Sequence, residues 1–369
     1  MSLSTTFGNA MNKTLGVSLI VMAFVSFGSA STAAPVAAAE RFTQVRMSID
    51  EDPIVLRLAD SLGYLKQEGI EIVPIDLEKI AKYDYLMQEP LTKGQIDASY
   101  HWFNHTIFGA RHKLPIKAVM VINDAPGMTV MVANRVKDKI RSAADFKGKN
   151  IADGAQYGTK AVITSYLAKK AGVPPGSFTP VMLESEGRLE AVLRGLKEGK
   201  VDVMTFQEPV TCALLESNMV STLYDLNSKE STTKVLGAGF PAQSLLMSPK
   251  YIEAHPDTVQ HLVNALVRTM RFINKHTAEE IAERLPRDYF DKKDRLTEIK
   301  FIQSTLPTYA KGDYSFSPSA VKLVVDAIQA SDFDKSEEGQ WRATGENSKV
   351  KADRLYDNRF VHKAMQAIK

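Results

Sequence analysis

Apolar and polar positions along the chain alternate between two periods, and the alternation occurs twice in the same order. Val45–Ile49 reads as a strand, and Val55, Leu58, Ala59 and Leu62 then recur at the spacing of one helix face. "GYLKQEG" ends that helix, "IEIVPI" is a second strand, Tyr85 to Leu91 predicts a short helix stopped at Gly94, and Ile96 to Tyr100 is a third strand. The order returns downstream. Asn150 to Ala152 is strand-like; Val162, Ile163, Tyr166 and Leu167 form a helix face closed by Gly172 and Pro174; Phe178 to Leu183 is a strand. Leu189, Val192, Leu193 and Leu196 share a second face before Gly199, and Val201 to Phe206 is the last strand.

"KGQIDASYHW" (Lys93 to Trp102) and "EGKVDVMTFQ" (Glu198 to Gln207) are matching points of the two units, 105 positions apart, with Gly94 facing Gly199 and Asp97 facing Asp202. Both glycines are expected to end helices in the left-handed conformation, which a residue without Cβ adopts cheaply. Both aspartates are expected one step into a strand, accepting hydrogen bonds from nearby loop amides. Alternation of strand and helix implies parallel strands with crossover helices, hence an α/β fold. "GMTVMVAN" (Gly127 to Asn134) and "SLLMSPKYI" (Ser244 to Ile252) flank the second unit as two extended crossings, the arrangement of a hinge, with closure expected about Asn123 to Thr129 and Phe240 to Leu246. From Pro256, the positions Val259, Leu262, Val263, Leu266, Val267, Met270 and Ile273 predict a long helix, and the C-terminal helical region is expected to pack on the first lobe.

At 369 residues, 44% hydrophobic and 24% charged, the chain is long enough for two cores. Its start differs from the rest: Lys13 is the only charge before Glu40, Leu15 to Phe27 is an apolar run, and "SASTAAPVAAAE" follows. These are the parts of a secretory signal peptide spanning residues 1–39, with translation starting at Met1 or at Met11. Thirteen residues are few for a bilayer span. Removing Lys13 takes the formal charge from +3 to +2, a balance that argues against nucleic acid or a membrane surface as partner. Cys212 is the sole cysteine, so no internal disulfide forms and no cysteine stands near the signal to carry a lipid. A nucleophilic thiol and a buried small hydrophobe are its two readings; the apolar setting "TCALL" favours the second.

Five stretches together resemble the periplasmic substrate-binding proteins of ABC importers, the SsuA/THI5-like (NMT1-like) group of nitrate, sulfonate, taurine and thiamine-precursor binders. They are "LADSLGYLKQEGIEI" (Leu58 to Ile72), "LTKGQIDASY" (Leu91 to Tyr100), "SAADFKGKNIADGAQYGT" (Ser142 to Thr159), "LKEGKVDVMTFQEP" (Leu196 to Pro209) and "SPKYIEAHPDTV" (Ser248 to Val259), in family order across about 41 to 280. The resemblance implies a two-lobed type II periplasmic binding fold: lobe 1 from 40–127 plus 245–369 with the C-terminal helices, lobe 2 from 128–244. It implies a small-molecule ligand held between the lobes and delivered to an ABC permease, by a periplasmic monomer without cofactor or catalysis. A ligand sensor for a membrane partner and a THI5-like pyrimidine-synthesising enzyme stay open as alternatives; the cysteine-rich signature of the enzyme branch is absent.

Parallel strands put such a cleft at their carboxyl ends, where helix N-termini meet it. Asp50 and Asp52 in "SIDEDP" would suit a cationic or hydrogen-bond-donating ligand end and poorly serve a simple anion, or else are solvated loop carboxylates. Tyr100, His101 and Trp102 in "YHWFNH" offer rings for stacking, with core packing as the competing reading. His101 and His105 have the spacing of two metal ligands, but no third is placed, so no metal is expected. Gln156, Tyr157, Gly158 and Thr159 precede the helix opened by "GAQYGTK", whose free amides would hold an anionic group, with a plain helix cap by Thr159 as the competing reading. Glu208 is a candidate partner for a ligand ammonium or ring nitrogen, or else a helix cap, and Met128 at the head of the first crossing completes the candidate set.

Overall fold

The computed structural model describes residues 42–49, 54–80, 88–153, 158–174, 176–183, 189–287, 289, 294–331 and 350–368. The candidate signal peptide lies outside them. The first unit runs β1 (Thr43–Ile49), α1 (Ile54–Ser61), α2 (Tyr64–Gln67), β2 (Ile70–Ile75), α3 (Gln88–Lys93), β3 (Ala98–Trp102), α4 (Asn104–Arg111) and β4 (Lys117–Val121). The second runs β5 (Met128–Ala133), β6 (Asn150–Ala152), α5 (Thr159–Lys170), β7 (Thr179–Pro180), α6 (Leu189–Lys197), β8 (Val203–Gln207), α7 (Val210–Glu216), β9 (Val220–Leu226) and α8 (Lys229–Leu236). β10 (Gln243–Met247) returns, followed by α9 (Pro249–Ala254), α10 (Pro256–Ile273), α11 (Ala278–Arg284), α12 (Arg295–Thr305), α13 (Pro318–Ala330) and α14 (Arg359–Ala367).

Two five-stranded sheets result, ordered β2-β1-β3-β10-β4 and β7-β6-β8-β5-β9. Position by position they are the same sheet. β1 pairs in parallel with β2 and β3, through Thr43↔Ile70 and Met47↔Ala98, as β6 does with β7 and β8, through Asn150↔Thr179 and Ile151↔Val203. The fourth strand of each sheet is the one that crosses from the other unit. Because it arrives from the opposite side it runs antiparallel: β10 against β3 and β4, β5 against β8 and β9. The sheets are therefore mixed, where strand–helix alternation alone predicts all-parallel ones. The predicted strand over Phe178 to Leu183 is also shorter than expected, reduced to Thr179–Pro180 at a sheet edge.

The repeated Gly and Asp form one device in both sheets. Gly94 and Gly199 both have φ of +69°, each ending a helix as expected. Asp97 and Asp202 stand immediately before β3 and β8 rather than inside them. Asp97 accepts from the Arg46 amide (2.8 Å) and from its guanidinium (2.6 and 3.0 Å), which also holds the Gly94 carbonyl (2.8 Å). Asp202 accepts from the Asn150 amide (2.9 Å) and from Arg135 (2.7 Å), which also holds the Gly199 carbonyl (2.8 Å). Carboxylate, arginine and helix-ending carbonyl lock the helix end to the neighbouring strand. Replacing Asp97 or Asp202 by Ala should each lower stability by roughly 1–3 kcal/mol, because amide and guanidinium donors lose their acceptor together. Urea unfolding measures this, and a loss in neither variant would remove the clamp from the account.

α10 forms as its pattern requires: Pro256 opens it, and all seven predicted face positions are buried. It packs on α1, α2 and α14. α13 does not keep to the first unit. Ser317 caps its start, accepting from the Ala320 amide, and Ala320, Val321, Leu323, Val324, Val325, Ala327, Ile328 and Ala330 are all buried. Those positions make a face wider than a single stripe, with Lys322, Asp326 and Gln329 on the solvent side, and α13 accordingly lies against both α4 and α5. α10 thus packs on the first unit as expected, and α13 touches that unit through α4 and the second through α5.

Candidate functional site

Where the carboxyl ends of β3 and β8 approach the two crossings, the chain forms an open cavity of about 370 Å³. Trp102 reaches it from the end of β3, Phe206, Gln207 and Glu208 from the end of β8, Asn123 and Gly127 from the first crossing, and Gln243 from the second. Lys160 of α5 and, from the C-terminal region, Phe301, Ser304, Thr305 and Thr308 complete the wall.

The lining carries opposite charges and aromatic faces. α5 begins at Gly158 without a side-chain cap, and Val162 donates the first in-helix bond, to the Gly158 carbonyl (3.0 Å). The amides of Thr159, Lys160 and Ala161 precede it, at the positive end of the helix dipole. The Lys160 ammonium adds a full charge there, 5.5 Å from the centre of the Phe206 ring. Glu208 supplies the negative pole. Burial pushes its carboxyl above the usual range, and it accepts from the Cys212 amide (3.2 Å) at the start of α7, so it both lines the cavity and caps a helix.

Behind α5 lies a second carboxyl. Asp153, at the end of β6 and 4% exposed, is pushed up to about 7 by burial, against the opposing pull of a hydrogen bond from Thr164. Thr164 is itself bonded to Thr205 of β8 (3.0 Å). On the first crossing, the Asn123 Nδ2 donates to Thr308 Oγ1 (2.7 Å), and Thr308 Oγ1 donates to the Thr305 carbonyl (2.7 Å).

Of the residues singled out from sequence, Trp102 and Glu208 line the cavity. Gly158 and Thr159 sit at the start of α5 beside Lys160, partly exposed but outside the lining. Tyr100 and Met128 point into the hydrophobic core, at 0% and 1% exposure. His101 is buried on β3, its Nδ1 accepting from the Trp102 amide (2.8 Å), and its ring lies 4.1 Å from that of His105. The His105 Nδ1 takes a bond from Gln88 (3.0 Å). Burial lowers both imidazoles, His101 to about 3, so the pair is neutral and its Nδ1 atoms are committed within the fold. Asp50, Asp52, Gln156 and Tyr157 lie outside the described residues. Cys212 is exposed, correcting its reading as a buried hydrophobe, because α7 turns Thr211 and Leu214 inward. Its thiol is raised by burial and by Glu216, the reverse of activation.

Sequence reasoning did not single out Lys160, Asn123, Gln243 or the C-terminal wall. Lys160 is written in "GAQYGTK", and its place one step inside a helix that starts at the cleft was the available signal. Asn123 and Thr308 stand 185 positions apart, and no local pattern joins them.

The model of the family described as NMT1/THI5 like matches residues 52–280. No curated protein matches the chain. The periplasmic sulfonate-binding protein SsuA from Methylobacillus flagellatus KT has the same fold at 15% identity, with a TM-score of 0.64 over 89% of this chain and 95% of that one. The periplasmic nitrate-binding protein NrtA from Synechocystis PCC 6803 matches at 14% identity and TM-score 0.62, over 89% of each chain. The desulfurization enzyme DszB matches at 14% identity and TM-score 0.55, over 88% of this chain and all of that one (100%). The fold is therefore the two-lobed one of periplasmic binding proteins, and it also occurs in an enzyme.

Proposed function

Since the chain belongs to the NMT1/THI5-like family, we propose that it is an extracytoplasmic solute-binding protein that holds a small polar organic ligand between its two sheets for delivery to an ABC permease. Residues 1–39 act as the export signal, 40–127 with 245–369 as one lobe, and 128–244 as the other. The carrying observation is the cavity's composition: a cation at a helix N-terminus and a carboxylate share about 370 Å³ with the rings of Trp102, Phe206 and Phe301. A few placed polar groups in an aromatic-lined recess orient a small molecule. Lys160 and the start of α5 would take an anionic group, Glu208 a cationic or donating one, which suits a sulfonate- or taurine-like or a pyrimidine-like ligand. Binding without turnover is the reading favoured by Cys212, whose thiol is raised and outside the lining.

Native mass spectrometry of protein purified from an exporting host should show one small molecule per chain. A thermal-shift panel of taurine, other sulfonates, nitrate, aminopyrimidines and amino acids should give a melting-point rise that scales with ligand concentration, since a ligand confined to the folded state stabilises it by mass action. Lys160→Met should weaken an anionic hit by about tenfold or more, a charge-assisted hydrogen bond contributing roughly 1.5–3 kcal/mol. An empty protein that no member of the panel stabilises would defeat the proposal, as would chemical conversion of the bound molecule.

A further inference from the structure

α12 turns one side to the cleft. Phe301, Ser304 and Thr305 line the cavity, and their spacing of three and four residues puts them on one face of the helix. Ile302, one position on from Phe301, is fully buried in the core, so the neighbouring face is held by protein. Both ends of α12 are tied down. Arg295 donates to the Ala282 carbonyl of α11 (2.9 Å), on which α12 packs, and just beyond the helix Thr308 accepts from Asn123 of the first crossing (2.7 Å). Lys300, the residue before Phe301, is close enough to the Cys212 thiol of α7 to oppose in part the rise that burial and Glu216 impose on it, so α12 stands opposite α7 across the open cavity. The family model ends at residue 280 and α12 begins at Arg295, so this wall comes from outside the stretch that the chain shares with that model.

We propose that Phe301 is a specificity-determining residue, through which α12 selects organic anions with a ring-sized apolar body over small anions carrying the same charged group. The proposal rests on the cleft being the ligand site. A recess of about 370 Å³ holds about a dozen water molecules at roughly 30 Å³ each. A simple oxyanion at Lys160 displaces only about one or two of them and leaves Trp102, Phe206 and Phe301 facing water. An apolar body attached to the anion starts alongside an aromatic wall, because the Phe206 ring lies 5.5 Å from the Lys160 ammonium. Covering the Phe301 ring then adds binding energy in proportion to the apolar area removed from water, which a small anion cannot gain.

The test uses two pairs of probes that share their polar groups: methanesulfonate against benzenesulfonate, and taurine against sulfanilate. Affinities are read by calorimetric titration. The wild-type chain should bind the ring-bearing member of at least one pair about tenfold or more tightly than its small counterpart. In Phe301→Ala that ratio should fall by about fivefold or more, and in Phe301→Leu, which keeps an apolar side chain of similar bulk, most of it should return. Gln303→Ala, on the exposed side of α12, should leave the ratio as it is. The ratio is the decisive quantity, because a variant that merely loosens the fold or disturbs the cation weakens both members alike. Equal affinities within both pairs in the wild type, or an unchanged ratio in Phe301→Ala, would overturn the role of Phe301 while leaving ligand binding in place. Binding by none of the four probes would defeat the sulfonate reading of the site and this proposal together.

Discussion

Asp153→Asn should raise the unfolding free energy at pH 8 by on the order of 4 kcal/mol and change it by less than about 1 kcal/mol at pH 4. Asp153 is held at about 7 in the folded chain against an ordinary 3.8. The folded state therefore binds this proton more tightly than the unfolded one. The stability it contributes is present below 3.8 and is lost as the pH rises through 7. At pH 8 the wild type carries an ionised carboxylate buried behind α5, with Lys160 as the cation that offsets part of the penalty. Asn has nearly the same shape and no proton to lose. Denaturant titrations at both pH values give the comparison, and a stabilisation equal at pH 4 and pH 8 would show that the carboxyl is not the source.

Acid acts in the opposite sense through His101. Its ordinary value is 6.5 and its folded value about 3, so between these limits the unfolded chain binds the proton that the folded chain refuses. Stability from this residue is complete above 6.5 and falls as the pH drops, by about 3 kcal/mol at pH 4. Burial is the cause: a charged imidazolium would sit out of water, with Nδ1 already accepting the Trp102 amide proton and the His105 ring packed against it. His101→Asn keeps an acceptor for that amide and does not titrate. Relative to wild type it should gain roughly 3 kcal/mol between pH 7 and pH 4, read from denaturant midpoints. In the wild-type chain the Asp153 and His101 contributions run against each other across this window, so its own acid profile understates both; only the two variants separate them.

The repeated strand and helix pattern of each unit, from β1 to β3 and from β6 to β8, was legible because burial imposes periodicity, whereas α4, α7, α8, β4 and β9 were not singled out. α10 carries seven apolar positions on one face, and the Gly–Asp echo marks the same clamp in both sheets. Strand direction was not legible, since β5 and β10 read the same whichever way they run, and only the crossing makes them antiparallel. Of the site, Trp102 and Glu208 could be found because each directly follows a recognisable strand. Tyr100 and His101 share that stretch, yet pleating and packing turned them into the core. The relay through Thr305, Thr308 and Asn123 is invisible in one dimension, being assembled from the C-terminal region and the first crossing.

α13 lies against α4 of the first unit and α5 of the second. A swing about the two crossings would have to slide α5, and with it Lys160, along the wide buried face of α13. Any rearrangement that separates α4 from α5 would have to break one of the two packings of α13, so that helix couples the two units through its own buried side chains.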